Sequence, residues 1–349
     1  MKKYILIAVM LLPVWLGMAQ TGDIQNKGVS FVEVADKDRV DVYFDGKLFT
    51  SYIYPATLEK PVLYPITTAE GTLVTRGFPL QPRPGERVDH PHQVGWWFNY
   101  GDVNGLDFWN NSYAIPADQK PKYGSIRHTR VIKAEGNSRG GTLVVQCGWE
   151  DHQKNVLLEE HSTFEFTGDE LNRRIVRTTT LTAVNGDVRF GDNKEGLCAL
   201  RVDRAFESPA DKPEVFTDAS GNPTSVPVLN NDGVNGLYRN SNEMEGDAVW
   251  GVKAAWVSLS ARKGQEDISL CMFDHPGNPG YQAYWHARGY GLFSVNNIGC
   301  QAYNPADSAN EILLKKGQSL TFRHMLLIRT GGFVTKEEMD REAAWFAGK

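Results

Sequence analysis

Cysteine is scarce in this sequence, and the few cysteines do not follow metal-ligand spacing. Each lies among apolar residues, and the full set is Cys147, Cys198, Cys271 and Cys300. A chain of 349 residues can bury roughly three quarters of its surface, so its core needs no cross-links. We interpret these residues as buried core thiols. One or two disulfides stay open as an alternative, because four cysteines allow three full pairings.

Runs of positive charge are also missing, and the formal net charge is −5. This charge balance argues against a nucleic-acid partner. After residue 16, no apolar stretch reaches the roughly 20 residues that a membrane span needs. The Gly-x-Ser-x-Gly, P-loop and dinucleotide-binding motifs are absent as well. Serine hydrolase, nucleotide hydrolase and dehydrogenase functions therefore have no support.

The N-terminal segment has the pattern of a secretory signal peptide. Two lysines follow Met1, an apolar run extends from Tyr4 to Leu16, and small residues lead to Ala19. We predict that residues 1–19 are removed and that residues 20–349 form one β-sandwich domain. The predicted location is the periplasm or the extracellular space.

Short β-rich runs separated by turn signals occupy most of the remaining sequence. Residues 39–44 alternate apolar and polar side chains, and Asp45-Gly46 follows as a hairpin signal. Similar runs recur as far as residue 330 without alternating helices. Thr335 and Glu338 form a capping box before apolar residues at helical spacing. The sequence predicts an all-β fold, a large antiparallel β-sandwich with a short C-terminal helix.

The densest mixture of aromatic and polar side chains lies between Glu86 and Ser112. Two histidines, three tryptophans and three aspartates occur in this stretch. Aromatic rings stack on the apolar faces of sugars, and polar groups bind their hydroxyls. We therefore predict that Trp96 and Trp109, together with Trp285 further along, stack on a sugar substrate.

Asp89-His90-Pro91-His92 is the first candidate for chemistry. If this segment is extended, His90 and His92 point to the same side, because the strand period is two. Such a pair could move protons or bind a divalent metal, with Asp89 orienting an imidazole. The alternative is structural, with one histidine capping a turn and the other hydrogen-bonding a carboxylate.

Asp102, Asn104 and Asp107 follow in a loop that superficially resembles a calcium-binding loop. The glutamate that closes an EF-hand loop is missing at its place. Two other interpretations remain: a loop folded by its own side chains, or a set of sugar contacts. We include the three residues among the predicted substrate-binding groups.

Lys194 and Glu195 lie between two glycines, at positions 191 and 196. Glu195 could be a general base, and Lys194 could stabilise negative charge that develops on the substrate. The alternative is a charged hairpin tip exposed to solvent.

A second Asp-His-Pro occurs at residues 274–276, followed by Trp285-His286 and then Arg288 and Tyr290. We predict that the two Asp-His-Pro loops meet at one site, although the repetition could also be coincidence. His275 and His286 are then further acid, base or ligand candidates. Asp274, Arg288 and Tyr290 join the predicted substrate-binding residues.

Several blocks resemble an uncharacterised bacterial family that often carries the label methane oxygenase PmoA. They include Arg-Val-Asp-His-Pro-His-Gln-Val-Gly-Trp-Trp from residue 87, Phe-Gly-Asp-Asn-Lys-Glu-Gly from residue 190 and Tyr-Trp-His-Ala-Arg-Gly-Tyr from residue 284. The resemblance implies a role in carbohydrate catabolism and a fold similar to the galactose mutarotase supersandwich. Gln93 stands where the family commonly has a further histidine, which weakens any site that needs three imidazoles from this loop.

These observations lead to one main hypothesis, a carbohydrate-active enzyme that uses acid–base chemistry on a sugar or glycoside. A lyase, a hydrolase and an epimerase all fit, because each moves a proton at a sugar carbon or oxygen. One alternative is a non-catalytic sugar-binding protein. Another is a metal-dependent oxygenase or hydrolase that holds a divalent metal through His90 and His92. The predicted catalytic residues are His90, His92, Lys194, Glu195, His275 and His286.

Overall fold

The computed structural model describes residues 27–349, and the predicted signal peptide lies outside this range. These residues form eighteen strands and one α-helix. The elements are β1 (Val29–Val34), β2 (Arg39–Phe44), β3 (Lys47–Ile53), β4 (Val62–Ile66), β5 (Trp96–Tyr100), β6 (Ser125–Asn137), β7 (Gly140–Glu150), β8 (Val156–Gly168), β9 (Asn172–Ala183), β10 (Val188–Phe190), β11 (Gly196–Arg201), β12 (Leu237–Asn240), β13 (Trp256–Lys263), β14 (Glu266–Asp274), β15 (Tyr284–Arg288), β16 (Leu292–Asn296), β17 (Ile312–Leu314), β18 (Ser319–Arg329) and α1 (Lys336–Ala347).

Two eight-stranded antiparallel sheets form the body of the fold. Sheet 1 has the order β1-β2-β3-β4-β5-β11-β16-β15, and sheet 2 has the order β12-β13-β14-β18-β9-β8-β7-β6. A small sheet pairs β10 with β17. The predicted fold class is confirmed, an all-β supersandwich with a short C-terminal helix. Within residues 27–349, no helix combines the length and the apolar character needed to cross a bilayer.

The main hydrophobic core fills the space between the two sheets. Sheet 1 contributes alternate residues, such as Trp96, Phe98 and Tyr100 of β5. Leu158 and Phe164 of β8 are among the side chains that sheet 2 contributes. Because successive side chains of a strand point to opposite faces, the residues between these core positions lie on the outer faces. A second apolar cluster, which includes Trp97 and Trp109, covers the outer face of sheet 1.

Helix α1 packs on the outer face of sheet 2. Thr335 accepts a hydrogen bond from the Glu338 backbone N–H, and the Glu338 side chain accepts one from the Thr335 N–H, so the predicted capping box is present. Met339 and Phe346 are buried against strand residues such as Phe273. Burial of a side chain of this size stabilises the fold by about 1.5–3 kcal/mol. The helix is therefore held on the sheet mainly by two buried apolar side chains, Met339 and Phe346.

Some local predictions differ from the structure. Pro55, Pro61 and Pro65 predict an edge strand or a loop in this part of the chain, and residues 62–66 form β4 between β3 and β5. β4 pairs with β5 at one position and with β3 at Val62, Leu63 and Ile66, so Pro65 lies at a break in the pairing. Residues 71–78 were expected to be a strand, and they make only isolated bridges, such as Thr75 with Val202.

Candidate active site

The outer face of sheet 1 carries the polar residues that form the site. In β15, Trp285 and Ala287 face the core, so the period of two places His286 on the outer face. The same alternation places Arg201 of β11 outside, because Leu200 packs in the core. Strands β11, β16 and β15 are neighbours in the sheet, so their outward side chains come together.

His286 and Glu195 form the centre of this group. Nδ1 of His286 lies 3.7 Å from Oε2 of Glu195. His286 is only 4 % exposed, and no hydrogen bond from residues 27–349 satisfies its Nδ1. A buried polar atom without a partner is uncommon and costly, and a catalytic or ligand-binding role is one explanation for it. Glu195 immediately precedes β11, so the strand fixes the position of its carboxyl group.

Burial sets the protonation of both groups. It raises the pKa of Glu195, although the charge of Lys194 acts in the opposite direction. It lowers the pKa of His286 to about 3, so the imidazole is neutral at pH 7. A carboxyl group that keeps its proton to a higher pH than usual therefore faces a neutral imidazole. Two titratable groups arranged in this way can act as an acid and a base.

Lys194 lies beside this pair at the entrance to the site. Its Nζ is 3.6 Å from Oε1 of Glu195, and its side chain is 53 % exposed. The Tyr303 hydroxyl donates a hydrogen bond of 2.6 Å to the Lys194 carbonyl, which fixes the backbone here. The Tyr303 ring also lies 6.2 Å from that of His286. The segment therefore differs from a solvated hairpin tip, because only Lys194 points to solvent while the Glu195 side chain is 19 % exposed.

Asp89 is held by two buried arginines. Arg76 and Arg201 both contact its Oδ1, the latter at 2.6 Å. Burial acts to raise the pKa of Asp89, but the charge of Arg201, the hydrogen bond to His90 and the charge of Arg76 together hold that pKa well below its usual range. Asp89 is therefore a fixed negative charge next to His90.

His90 is oriented by Asp89 and by an aromatic ring. Its Nδ1 lies 2.9 Å from Oδ2 of Asp89, and its ring stacks on Tyr290 with the centroids 4.8 Å apart. When Nδ1–H donates to the carboxylate, Nε2 is left as a free acceptor. The His90 backbone has φ 40°, a left-handed conformation, and its carbonyl accepts from the Gln93 N–H. The His-Pro-His segment is thus a turn, so the condition of an extended segment is not met, and His90 makes the carboxylate hydrogen bond of the structural alternative.

His92 lies in the same turn but in a different environment. Its ring is 5.6 Å from the His90 ring and nearly perpendicular to it. Burial lowers the pKa of His92 well below its usual value, so this imidazole is neutral. Across residues 27–349, no three His, Cys, Asp or Glu side chains are grouped so that they could hold a metal ion. The two histidines therefore have no third protein ligand beside them.

Tyr290, Trp250 and Arg288 supply ring faces and a positive charge next to the acid–base pair. Tyr290 lies between His90 and Arg201, whose guanidinium carbon is 4.9 Å from the ring centroid. Arg288 lies 5.6 Å above Trp250, which is itself 6.4 Å from His286. These three side chains line a neighbouring cleft of about 400 Å³, whose wall does not include His90, Glu195 or His286. Its volume is within the range that small ligands occupy.

The three tryptophans predicted to stack on substrate are completely buried. Trp96 and Trp285 point inward into the core between the sheets, and Trp109 packs against Trp97 under the outer surface. The stacking prediction requires a ring face open to a ligand, and none of these residues has one in the structure. Trp285 and His286 are consecutive residues, and the sequence does not show which of the two side chains faces the core.

Asp102 and Asp107 fold their own loop, as one alternative interpretation held, and Asn104 joins this loop to β10. Asp102 accepts from the Gly105 N–H, and Asn104 accepts from the Arg189 N–H. Asp107 accepts from the backbone N–H groups of the next residues, including that of Trp109 at 2.8 Å. These bonds occupy the carbonyl and carboxylate oxygens that were predicted to bind substrate.

The second Asp-His-Pro lies against sheet 2, and the prediction that the two loops meet is corrected. His275 packs on Phe346 of α1 with the centroids 5.0 Å apart. Asp274 accepts hydrogen bonds from Asn278, Asn297 and the Ala283 N–H. Burial raises the pKa of Asp274 to about 6. The repeated letters do not place His275 beside His90, because β14 belongs to a different sheet.

Several residues of the site were missed from the sequence. Arg76, Arg201 and Trp250 were not singled out, nor was Tyr303. Arg201 gave a usable signal, since it is a charged residue in the apolar strand Leu-Cys-Ala-Leu-Arg. A charge at such a position needs a buried partner, and Asp89 supplies it. For Trp250 and Tyr303 no local signal exists, because they reach the site from separate loops.

Comparisons with known proteins give a family but no activity. A family model described as a family of unknown function, DUF6807, matches residues 39–344. No curated protein matches the chain in sequence.

Solved structures resemble the chain weakly. A GH36 alpha-galactosidase from Geobacillus stearothermophilus is 11% identical with a TM-score of 0.40, and the alignment covers 86% of this chain and 41% of that one. A heparan sulfate lyase from Pedobacter heparinus is 8% identical with a TM-score of 0.35, covering 89% and 36%. An Escherichia coli K12 protein provisionally assigned as an aldose 1-epimerase is 11% identical with a TM-score of 0.29, covering 87% and 99%. The chain thus spans about two fifths of the galactosidase it matches.

Proposed function

This chain belongs to DUF6807, a family of unknown function, and we propose that it is a carbohydrate-active enzyme using acid–base chemistry on a sugar or glycoside. The reaction is a lyase, hydrolase or epimerase reaction, each of which transfers protons at a sugar carbon or oxygen. The proposed location is the periplasm or the extracellular space, because of the pattern of residues 1–19.

One observation carries this proposal, the contact between the Glu195 carboxyl group and the orphaned Nδ1 of His286. The two atoms are 3.7 Å apart in a largely buried position. Burial raises the pKa of Glu195, so this carboxyl group keeps its proton to a higher pH than an ordinary glutamate. Glu195 is placed to give a proton to a substrate oxygen, and the neutral imidazole beside it can accept a proton that the substrate releases. The contact between Glu195 and His286 is not a structural ion pair, because the His286 imidazole is uncharged at pH 7.

His90 is the proposed second proton carrier. Asp89 fixes the imidazole by accepting from Nδ1–H, and this leaves Nε2 free to accept a proton from the substrate. Lys194 is exposed beside Glu195 and can stabilise negative charge that develops during the reaction. The residues that perform these steps are therefore His90, Glu195 and His286, with Asp89 positioning the first.

The character of the site supports a sugar rather than an apolar ligand. Trp250 presents an aromatic ring beside His286, while Arg288, Lys194 and Glu195 supply hydrogen-bonding groups. Such a combination matches a ligand with apolar ring faces and several hydroxyls. Trp250 is the candidate for the stacking role that the buried tryptophans cannot take, because His90 and Arg201 cover the Tyr290 ring.

The proposal can be tested by incubating the purified protein in D2O with a panel of monosaccharides, uronic acids and glycosides. Proton NMR detects exchange or loss at carbon for an epimerase or lyase, and new reducing-end signals for a hydrolase. We expect Glu195→Gln to reduce the rate about 10²–10⁴-fold, the usual range for one acid–base group. Glu135→Gln is the matched control, since the Glu135 side chain is 74% exposed and, within residues 27–349, forms an ion pair with Lys133 alone.

The outcomes separate an enzyme from a binding protein. Turnover that falls in Glu195→Gln and His286→Asn but stays normal in Glu135→Gln supports the enzyme. Turnover unaffected by either site variant contradicts it. If a sugar raises the melting temperature equally in the wild type and in both site variants, and none of them turns it over, the non-catalytic sugar-binding function replaces the enzyme.

A further inference from the structure

A second cavity lies beside the outer face of sheet 1, next to the His90–His92 turn. Its volume is about 420 Å³, which suits a small ligand. Apolar side chains form much of its wall, among them Val62, Phe78, Leu80 and Val94. None of the acid–base residues His90, Glu195 and His286 lines it.

Lys60 is the charged group of interest in this wall. The residue is 4% exposed, and its Nζ donates a hydrogen bond of 2.6 Å to the His92 carbonyl. The amine also lies 5.3 Å from the centroid of the Trp97 ring. Among residues 27–349, no carboxylate forms an ion pair with it, because the adjacent Glu59 is bound by Lys120 and Arg127.

An amine in this environment differs from an ordinary surface lysine. Burial lowers the pKa of Lys60 to about 7, although Glu59 and Asp107 act in the opposite direction. Close to half of the molecules then carry a neutral amine at pH 7, whereas an exposed lysine with a pKa of about 10.4 is almost fully protonated. Desolvation in an apolar pocket is one of the ways in which a lysine becomes a nucleophile.

We propose that Lys60 forms an imine with a small aldehyde held in this cavity, such as the open-chain form of a short sugar. The nitrogen lone pair attacks the carbonyl carbon, and the carbonyl oxygen gains a proton to give a carbinolamine. The C–O bond then breaks, the hydroxyl leaves with a proton as water, and a C=N bond forms. One amine and one aldehyde give one imine and one water, and no oxidant or reductant is consumed.

This inference goes beyond the proposed function and does not depend on it. The cavity and the amine are defined by residues that do not take part in the acid–base step. If Lys60 forms no imine, the proposed roles of Glu195 and His286 still stand. If those roles are wrong, the proposal for Lys60 still stands. Labelling of Lys60 in the Glu195→Gln variant shows this independence directly.

The test traps the imine in the folded, full-length protein. Glycolaldehyde at low concentration and sodium cyanoborohydride are added at pH 7, and peptide mapping by mass spectrometry follows the stable secondary amine at each lysine. We expect Lys60 to be modified at least about tenfold faster than Lys47, an exposed lysine at the start of β3. Labelling of Lys60 no faster than Lys47 overturns the proposal.

Two variants make the result specific. Lys60→Met removes the amine and should abolish the fast label while the slow surface labelling continues. If Lys60→Met does not fold, Leu80→Trp fills the cavity without touching the amine, and it should slow the modification of Lys60 at least about fivefold with Lys47 unchanged. Fast modification of Lys60 that persists in a folded Leu80→Trp variant shows that the cavity does not hold the aldehyde, and this also overturns the proposal.

Discussion

The two Asp-His-Pro tripeptides of this chain differ in almost every physical respect. At residues 89–91, the carboxylate contacts Arg76 and Arg201, and its pKa is held well below the usual range. At residues 274–276, the carboxyl group meets only neutral N–H donors, and burial raises its pKa to about 6.

The histidines of the two tripeptides also have different ring contacts and hydrogen-bond partners. His90 stacks on Tyr290 with its Nε2 available, whereas His275 packs on Phe346 and its Nδ1 accepts from the Gly277 N–H. The comparison teaches that a tripeptide does not determine its own chemistry. Its chemistry depends on whether residues distant in sequence place charged side chains beside it.

The largest expected difference concerns activity. If His90 is a proton carrier, His90→Asn should lower turnover about 10²–10⁴-fold, while His275→Asn leaves it unchanged. Steady-state rates with the substrate found in the D2O panel provide the measurement. Equal losses in the two variants would contradict the distinction between the two tripeptides.

The next effect concerns stability at the first tripeptide. Asp89→Ala leaves Arg76 and Arg201 buried without their shared carboxylate, and this should cost about 3–5 kcal/mol of unfolding free energy. Urea unfolding followed by tryptophan fluorescence measures the loss. An unchanged midpoint would show that water or another group compensates the arginines.

A smaller effect should distinguish the two aspartates by pH. The folded pKa of Asp274, about 6, is above its unfolded value, so its contribution is complete below about pH 4 and is lost as pH rises through 6. The change is about 2–3 kcal/mol at most. Asp89 has a lowered folded pKa, so its contribution is complete above about pH 4 and falls as the solution becomes more acidic.

Urea unfolding at pH 4.5 and pH 7 checks this difference. The cost of Asp274→Asn relative to the wild type should be larger at pH 4.5 than at pH 7. The cost of Asp89→Asn should be nearly the same at these two pH values and should fall only below about pH 4. The same trend in both variants would remove the electrostatic contrast between the tripeptides.

The smallest effect is expected at His275. His275→Leu removes the acceptor for the Gly277 N–H, but it also removes a buried Nε2 that has no hydrogen-bond partner within residues 27–349. These changes oppose each other, so the unfolding free energy should shift by about 1 kcal/mol or less. A thermal melt measures this, and a loss several times larger would give His275 a structural role that its contacts do not explain.

Local patterns made much of the fold predictable. The alternation in residues 39–44 and the capping box of Thr335 and Glu338 depend on neighbours in sequence, and both appear as predicted. β5 and β15 escaped prediction because both faces of these strands are buried, and β15 also carries polar residues on its outward face. His286, for example, is polar yet only 4% exposed.

The site was predictable only in part, for a related reason. Residue type identified His90, Glu195 and His286 as candidates for proton transfer, and the sheet brings the last two within 3.7 Å. Residue type could not tell that Trp285 faces inward while its neighbour faces outward. That information lies in the pairing of β15 with β16, which sequence alone does not supply.

The alternation of β15 has a consequence for engineering this protein. Substituting outward positions of β11 and β15 can change the ligand while leaving the side chains of the sandwich interior as they are. Deleting a single residue within β15 would exchange Trp285 and His286 between the two environments. The strands beneath the site should therefore accept changes of residue identity but not of length.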